Sequence, residues 1–498
     1  MTDVDQFAVV RGTVPAGTGT WDITHPDITT WDQVGGMLII VGSHTGDARQ
    51  CIGLVDQDGN QSQVNGRSPS GASFQFTKKR ATGTTPNVVQ LMESDGADGT
   101  DVVYEASFTA ALADGVRLTV GTATETGFPF TAALFASTTA SGAFAHVFGP
   151  VNTAYEGAPG EADFGMFLVG ETGGGVPTQN WEGCLGFAVN GGGQACQAFM
   201  FPATGATSKS YSILRNDRAG ANITAAGAES TSLEITSFDA QGYNTPGATP
   251  DTSGLLFKFG DPLRTAAVVV EDIPGTAGPV SHTNLGLRPK VGVIVSSRVQ
   301  TENAVKDDTE ADSWGVGLFD DDLTEQRAHA TANIDGLTLS GGGSVAFSRF
   351  GAPIVGNEAS VLNLHLPPDP PTQYNVSAWG EVTATGAQGI TVDYQDDAIP
   401  PLAFVLEPGK FVLFGISRLA VPEQGVDEAE HLVEAAGVRM GRQVAEQVHV
   451  DEDQGGVVTQ AIFLDPLMPT GDTAQGGSEA GDSARGGSVA GCDPQERT

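Results

Sequence analysis

Lysine is scarce in this chain: 7 of 498 residues, at positions 78, 79, 209, 258, 290, 306 and 410. Arginine makes up the rest of the 24 basic residues, against 60 Asp and Glu, and the formal net charge is −36. With no basic stripe to meet phosphates, nucleic acid is excluded as a partner. A surface this acidic repels itself in dilute buffer, whereas at molar salt the Debye length falls to about 3 Å and the repulsion is screened. The composition therefore points to a very salty milieu; the other reading is an acidic secreted protein. Cysteine is also rare, at 51, 184, 196 and 492, too few for a disulfide scaffold. Cys184 and Cys196 flank a glycine turn, so the strand register decides whether they form a cross-strand bridge or act as small buried hydrophobes. No apolar run approaches 18 residues, which excludes membrane insertion by a helix. The opening Met1-Thr-Asp-Val-Asp-Gln-Phe7 carries no signal-peptide pattern, so the expectation is synthesis in a cytoplasm and release by lysis.

What is present is repetition. The stretch Cys51-Ile-Gly-Leu-Val-Asp-Gln-Asp-Gly-Asn-Gln61 returns as Cys184-Leu-Gly-Phe-Ala-Val-Asn190 and as Trp314-Gly-Val-Gly-Leu-Phe-Asp320. Gly53, Gly186 and Gly317 fall at a period longer than that of short solenoid repeats, which implies tandem domains. Four more markers keep the same order. Opening strands lie near Phe7, Phe144 and Ala266, and apolar runs begin at Gly36, Gly165 and Gly292. Strand–turn–strand units turn at Gly115, Gly242 and Gly389, and closing strands end near Phe135, Phe259 and Phe414. Short β-branched runs with frequent Gly, Asn and Asp turns predict a mainly β protein of three tandem β-sandwich domains. Their expected extents are 1–137, 138–262 and 263–418, the third with Pro-rich loops at Leu366–Pro371 and Ile399–Pro401.

After Arg418 the pattern changes. Leu432, Val433, Ala436, Met440, Val444 and Val448 follow a helical period and predict one short helix within 426–448. A last strand is expected over Val457–Phe463, and a Gly/Ser-rich low-complexity tail follows Pro469. Residues 419–498 lack the apolar positions for a core of their own, which assigns them to assembly or anchoring.

No catalytic constellation emerges, and the chain is read as not an enzyme. The eight histidines lack zinc-ligand spacing, and the Gly-Gly-Gly runs at 173 and 341 are not followed by Lys-Ser/Thr. Asp56 and Asp58, and Asp95, Asp98 and Asp101, place carboxylates at alternate or third positions as calcium loops do, so they are the candidate ligands for structural calcium or another cation. Neither set completes an EF-hand, and Asp-Gly is equally a hairpin turn. Asp320-Asp-Asp322 reads as a solvated turn. The five tryptophans at 21, 31, 181, 314 and 379 read as core residues or sugar platforms. No cofactor is implied.

Leu287-Arg-Pro-Lys-Val-Gly-Val-Ile-Val295, Ser313-Trp-Gly-Val-Gly-Leu-Phe319 and the strand–Gly–strand near 389 resemble β-domains of tailed-virus structural proteins, and Val10-Arg-Gly-Thr-Val-Pro-Ala-Gly17 is similar to the start of some of them. With the charge, the resemblance implies a virion structural protein of a haloarchaeal tailed virus: a capsid turret or spike, or a tail fibre or baseplate component. The implied partners are further copies of itself, other virion proteins, and host surface glycans or S-layer. The long spine helix of an HK97-type capsid protein is missing from the pattern. A carbohydrate-binding adhesin and, behind it, a polysaccharide-active enzyme are the alternatives.

Overall fold

The structure is a computed structural model. It describes residues 5–43, 48–68, 79–81, 87–94, 100–138, 144–149, 154–156, 158, 160–170, 181–201, 210–224, 226–308, 312–334, 345–350, 360–365, 376–396, 408–418, 450–451 and 456–457. The described residues are mainly β, in several sheets, with no helix among them. Residues 1–422 form one compact unit and 423–498 a second.

In the first unit the strands fall into three groups. The first holds β1 (Asp5–Thr13), β2 (Gly19–Thr24), β3 (Val34–Ser43), β4 (Ala48–Asp56), β5 (Gln61–Ser68), β6 (Lys79–Ala81), β7 (Val89–Ser94), β8 (Thr100–Leu112), β9 (Gly115–Ala123) and β10 (Pro129–Ser137). The second holds β11 (Phe144–Gly149), β12 (Ala154–Tyr155), β13 (Phe164–Val169), β14 (Trp181–Val189), β15 (Gln194–Phe201), β16 (Ser210–Arg215), β17 (Gly220–Ile223), β18 (Glu229–Leu233), β19 (Ser237–Asp239), β20 (Gly242–Asn244) and β21 (Thr252–Phe257). The third holds β22 (Arg264–Ile273), β23 (Gly278–His282), β24 (Val291–Ser297), β25 (Lys306–Asp308), β26 (Asp312–Asp320), β27 (Arg327–Ile334), β28 (Val345–Phe350), β29 (Ser360–His365), β30 (Val376–Gly386), β31 (Gly389–Asp396) and β32 (Gly409–Arg418).

Strand order is the same in the first and third groups. A large sheet β1-β10-β3-β4-β5-β6 faces a small sheet β2-β9-β8-β7, and β22-β32-β24-β26-β27-β28 faces β23-β31-β30-β29. The second group keeps the large sheet, β11-β21-β13-β14-β15-β16, and divides the small one into β12-β20-β19 and β17-β18. In the first group Met37, Ile39 and Val41 of β3 share a core with Trp21, Leu91, Tyr104 and Leu118 of the small sheet. Between the groups β25 crosses over, pairing Lys306–Asp308 with Ser212–Ser210 at the edge of the second group's large sheet.

The unbroken apolar runs of the inner strands are explained by burial on both faces. Leu38 and Ile40 turn away from the first group's own core into a larger one. They share it with Phe164, Met166, Leu168 and Phe187 of the second group and with Val293, Val295, Trp314 and Phe414 of the third. The groups meet around a closed ring: β4 lies against β11, β14 against β22, and β26 against β1. In every case the strand carrying the repeated glycine touches the opening strand of the next group. Phe187 and Phe414 stack across one seam at 4.6 Å and 6°, and Phe7 meets Phe257 edge-on across another.

The glycines report how closely the groups correspond. Gly53 lies opposite Ile39 and Gln63, Gly186 opposite Phe167 and Cys196, and Gly317 opposite Ile294 and Ala328. A side chain at Gly53 would strike the carbonyl of Val88, and one at Gly186 the carbonyl of Ala219. The small-sheet turns need glycine more strictly. Gly115, Gly242 and Gly389 have φ of +153°, +154° and +155°, and a Cβ there would collide with the carbonyls of Ile23, Tyr155 and His282 on β2, β12 and β23. One marker is displaced. Counting from the repeated glycines, Ile39, Phe167 and Ile294 correspond, so Met37, not Gly36, matches Gly165 and Gly292. A one-residue slip reverses which face a side chain takes.

β10 ends at Ser137, β22 begins at Arg264 and β32 ends at Arg418. In the second unit, β33 (Val450–Asp451) pairs antiparallel with β34 (Gly456–Val457). The helix expected over 426–448, the remainder of the strand expected to Phe463, the Gly/Ser-rich tail and both Pro-rich loops lie outside the described residues.

Candidate functional site

The hairpins that follow the repeated glycines carry most of the acidic residues singled out from the sequence. Asp56 ends β4 and is 1 % exposed. Its carboxylate accepts from the backbone N–H of Asp58 at 3.0 Å and of Asn60 at 2.9 Å, and from the Asn60 side-chain amide at 2.7 Å. That is an Asx-closed turn, a structural use of the carboxylate. Burial raises its pKa above the ordinary carboxylate value, and the Asn60 donors act against that. Asp58 is exposed while Asp56 is buried. Asp101 sits on β8 opposite Glu93, and Asp95 and Asp98 lie outside the described residues. Among the described residues no three His, Cys, Asp or Glu side chains gather around one point that could hold a metal ion.

Asp320 occupies the place of Asp56 in the third group, three residues beyond its glycine. It is 9 % exposed, not the solvated turn expected from the sequence. Burial and the hydrogen-bonded Asp322 carboxyl push it up to about 7. Asp322 in turn accepts from Thr324 N–H at 2.9 Å and from Thr324 Oγ1 at 2.7 Å, which hold it below the usual range. The second group has Val189 at this place.

Buried polar side chains concentrate where one group meets the next. Arg11 Nε donates to Glu325 Oε2 at 2.8 Å, from β1 to the β26–β27 turn. Arg327 Nη1 donates to the carbonyls of Gly12 and Phe130 at 3.0 and 3.2 Å. His329, wholly buried, lies 3.0 Å from Thr131 Oγ1, and burial lowers its pKa well below 6.5. Asp5 accepts from the backbone N–H groups of Gly260 and Asp261, and its own carbonyl accepts from Arg264 Nη2 at 2.6 Å. Gln197 and Ser297 are hydrogen-bonded across the remaining seam. Val64, Gln197 and His329 occupy corresponding positions, opposite Ile52, Leu185 and Val316, and all face the seam to the next group.

At the centre of the ring Gln50, Gly183 and Trp314 correspond, each three residues before the repeated glycine. They border a void of about 10 Å³ between Val64, Leu168 and Phe199, room for about one water. Trp314 is thus a core residue, as are Trp21 and Trp31, while Trp379 is half-buried.

The three described thiols, Cys51, Cys184 and Cys196, are free. Cys184 lies opposite Ala198 and Cys196 opposite Gly186, a diagonal rather than a facing pair. Cys51 and Cys184 have matching roles: their sulfurs accept the N–H of Gln90 at 3.5 Å and of Ala221 at 3.4 Å. Burial pushes Cys51 up to about 12, which leaves it protonated and unreactive.

Sequence reasoning missed one buried polar cluster. His282 is 2.9 Å from Tyr394 Oη through Nε2 and 3.3 Å from Glu271 Oε2 through Nδ1. The corresponding positions of the first group, counted from the paired glycines Gly19 and Gly278, hold Ile23 and Val120 for His282 and Tyr394. The two-residue alternation along β23 was the available signal, because it turns His282 inward.

No family model matches the chain, and no curated protein matches it. Among solved structures, Pseudomonas aeruginosa OccK5 (OpdH) aligns at 9% identity over 77% of this chain and 96% of its own, with a TM-score of 0.11. Pseudomonas aeruginosa OpdQ aligns at 10% identity over 84% and 98%, with a TM-score of 0.09. Scores of this size establish no shared fold.

Proposed function

We propose that the protein is a structural component of a virus particle adapted to high salt, displayed outside as a capsid turret or spike or as part of a tail fibre or baseplate. In this reading the three strand groups are tandem copies of one sandwich, 1–137, 138–262 and 263–418. Residues 419–498 join the chain to further copies of itself or to other virion proteins. The observation that carries the reading is the closed ring. The buried polar side chains at its seams tie one group to the next, and the groups share one core. Such a build suits a load-bearing projection, and the −36 charge suits a surface bathed in concentrated salt. The test is immunogold labelling of purified particles in molar salt, with antibody raised against residues 1–418. Label on the particle exterior is expected; particles whose protein content lacks this chain would overturn the assignment.

A further inference from the structure

The three seams of the ring are not tied alike. The chain itself runs from the first group into the second between Ser137 and Phe144, and from the second into the third between Phe257 and Arg264. The third group meets the first with no covalent link. They share a core, Arg264 of β22 donates to the carbonyl of Asp5, and Arg11 pairs with Glu325, Arg327 with the carbonyls of Gly12 and Phe130, and His329 with Thr131. Apart from Arg264, the third-group members of these polar contacts belong to β27 or to the turn before it.

That turn also holds two carboxyl groups in contact. Asp320 is buried and hydrogen-bonded to Asp322, and it accepts the N–H of Glu325, the residue that reaches Arg11, at 3.3 Å. Two carboxyls can share a hydrogen bond only when one of them carries a proton. The matching turns are built otherwise: Asp56 has the neutral amide of Asn60 as its partner, and the second group has Val189. We propose that the β26–β27 turn is a proton-operated latch on the one seam the chain does not tie, closing the third group onto the first while Asp320 and Asp322 share a proton and loosening that seam when the proton leaves.

The groups around the pair are mixed in charge. Asp321, Glu325 and Arg327 belong to the same hairpin. Arg11 reaches it from β1, His25 and Asp27 follow β2, Arg288 and Lys290 precede β24, and His329 lies further along β27. Asp320 titrates near 7 in the closed seam against an ordinary value of 3.8. Between those values the closed form holds one more proton, so closure is favoured on the acid side and weakens as pH rises through about 7. His329 acts in the opposite sense. Burial holds it neutral, so below 6.5 the open form takes up a proton that the closed form refuses. The seam therefore tightens as pH falls from about 8 to about 6.5, and gains nothing further below that, where the two effects oppose.

Hydrogen–deuterium exchange of the full chain in molar salt, corrected for intrinsic exchange, reads this directly. Peptides covering Arg11–Thr13 and Pro129–Thr131 report the untied seam. Those covering Val189–Gln194, whose hairpin reaches Val268, report a tied one. Between pH 6.5 and pH 8 the untied seam is expected to lose about two- to fourfold in protection while the tied seam does not change. Asp320→Asn should be flat over that window and lose protection below it, leaving the behaviour of His329 alone. Asp322→Asn gives Asp320 a neutral donor and should move the loss to lower pH. Protection at the untied seam that is independent of pH, or an Asp320→Asn protein that keeps the wild-type dependence, overturns the latch. If Asp320→Asn does not fold, Asp322→Asn decides: an unmoved transition is the overturning result.

Discussion

The indole Nε1 of Trp314 donates to the main-chain carbonyl of Gln197 at 3.3 Å, across the seam between the third and second strand groups. The ring of Trp314 lies 4.7 Å from that of Phe199, also across the seam. Corresponding positions hold Gln50 and Gly183, so one large side chain, one medium and none fill the centre of the ring. Packing of that kind fixes which group lies beside which.

Replacing Trp314 by Ala removes this plug. The expected loss is about 3–5 kcal/mol of folding free energy, transfer and cavity terms together. Denaturant unfolding in molar salt measures it. Trp379→Ala, at a half-buried site, should cost clearly less; equal costs for the two would show that the centre of the ring is not tightly packed.

The small-sheet turns make a second prediction. Gly115→Ala, Gly242→Ala and Gly389→Ala should each destabilise by more than about 1 kcal/mol, because each combines a positive φ with a facing carbonyl. Gly17→Ala, which meets nothing within 4 Å, is the control and should be close to neutral. A single tolerant member of the three would break the correspondence between the groups at that turn.

Asp56→Ala should cost about 1–3 kcal/mol by leaving the donors of the β4–β5 turn without their acceptor. Calcium added to the wild type should not raise the melting midpoint beyond what an equal ionic strength of sodium does. A calcium-specific rise that Asp56→Ala abolishes would restore the cation reading of Asp56 and Asp58.

Salt is the broadest test. With a charge of −36, the melting midpoint should fall steadily on dialysis from molar salt to dilute buffer, as the Debye length grows from about 3 Å to about 30 Å. A midpoint that is flat, or rises, contradicts a fold suited to brine.

The glycines made much of the architecture legible. Gly53 and Gly186, and Gly115, Gly242 and Gly389, mark corresponding places because a carbonyl approaches the backbone there and a side chain would collide with it; Gly317 takes the place of Gly53 and Gly186 in the strand register. Gly36 misled because the position matching Gly165 and Gly292 holds Met37, one residue further on, and only strand pairing chooses the register. Apolar runs such as Met37–Val41 showed burial on both faces, but periodicity does not say what covers the second face, and here it is the other two groups. The Asp320 turn was found but read as solvated. Asp320 differs from an exposed turn residue only through what packs over it.

Arg264 stands beside both ends of the ring: its guanidinium donates to the carbonyl of Asp5, and its backbone pairs with Arg418. The opening of the first group and the close of the third therefore lie one strand apart. A circular permutant that joins 418 to 5 through a short linker, and begins instead between β10 and β11, would preserve every strand pairing described for residues 5–418. In such a chain the seam of Arg11 and Glu325 becomes covalently bridged and the stacked Phe187 and Phe414 remain in place. The rotational order of the groups, rather than the point at which synthesis begins, is then what the ring remembers.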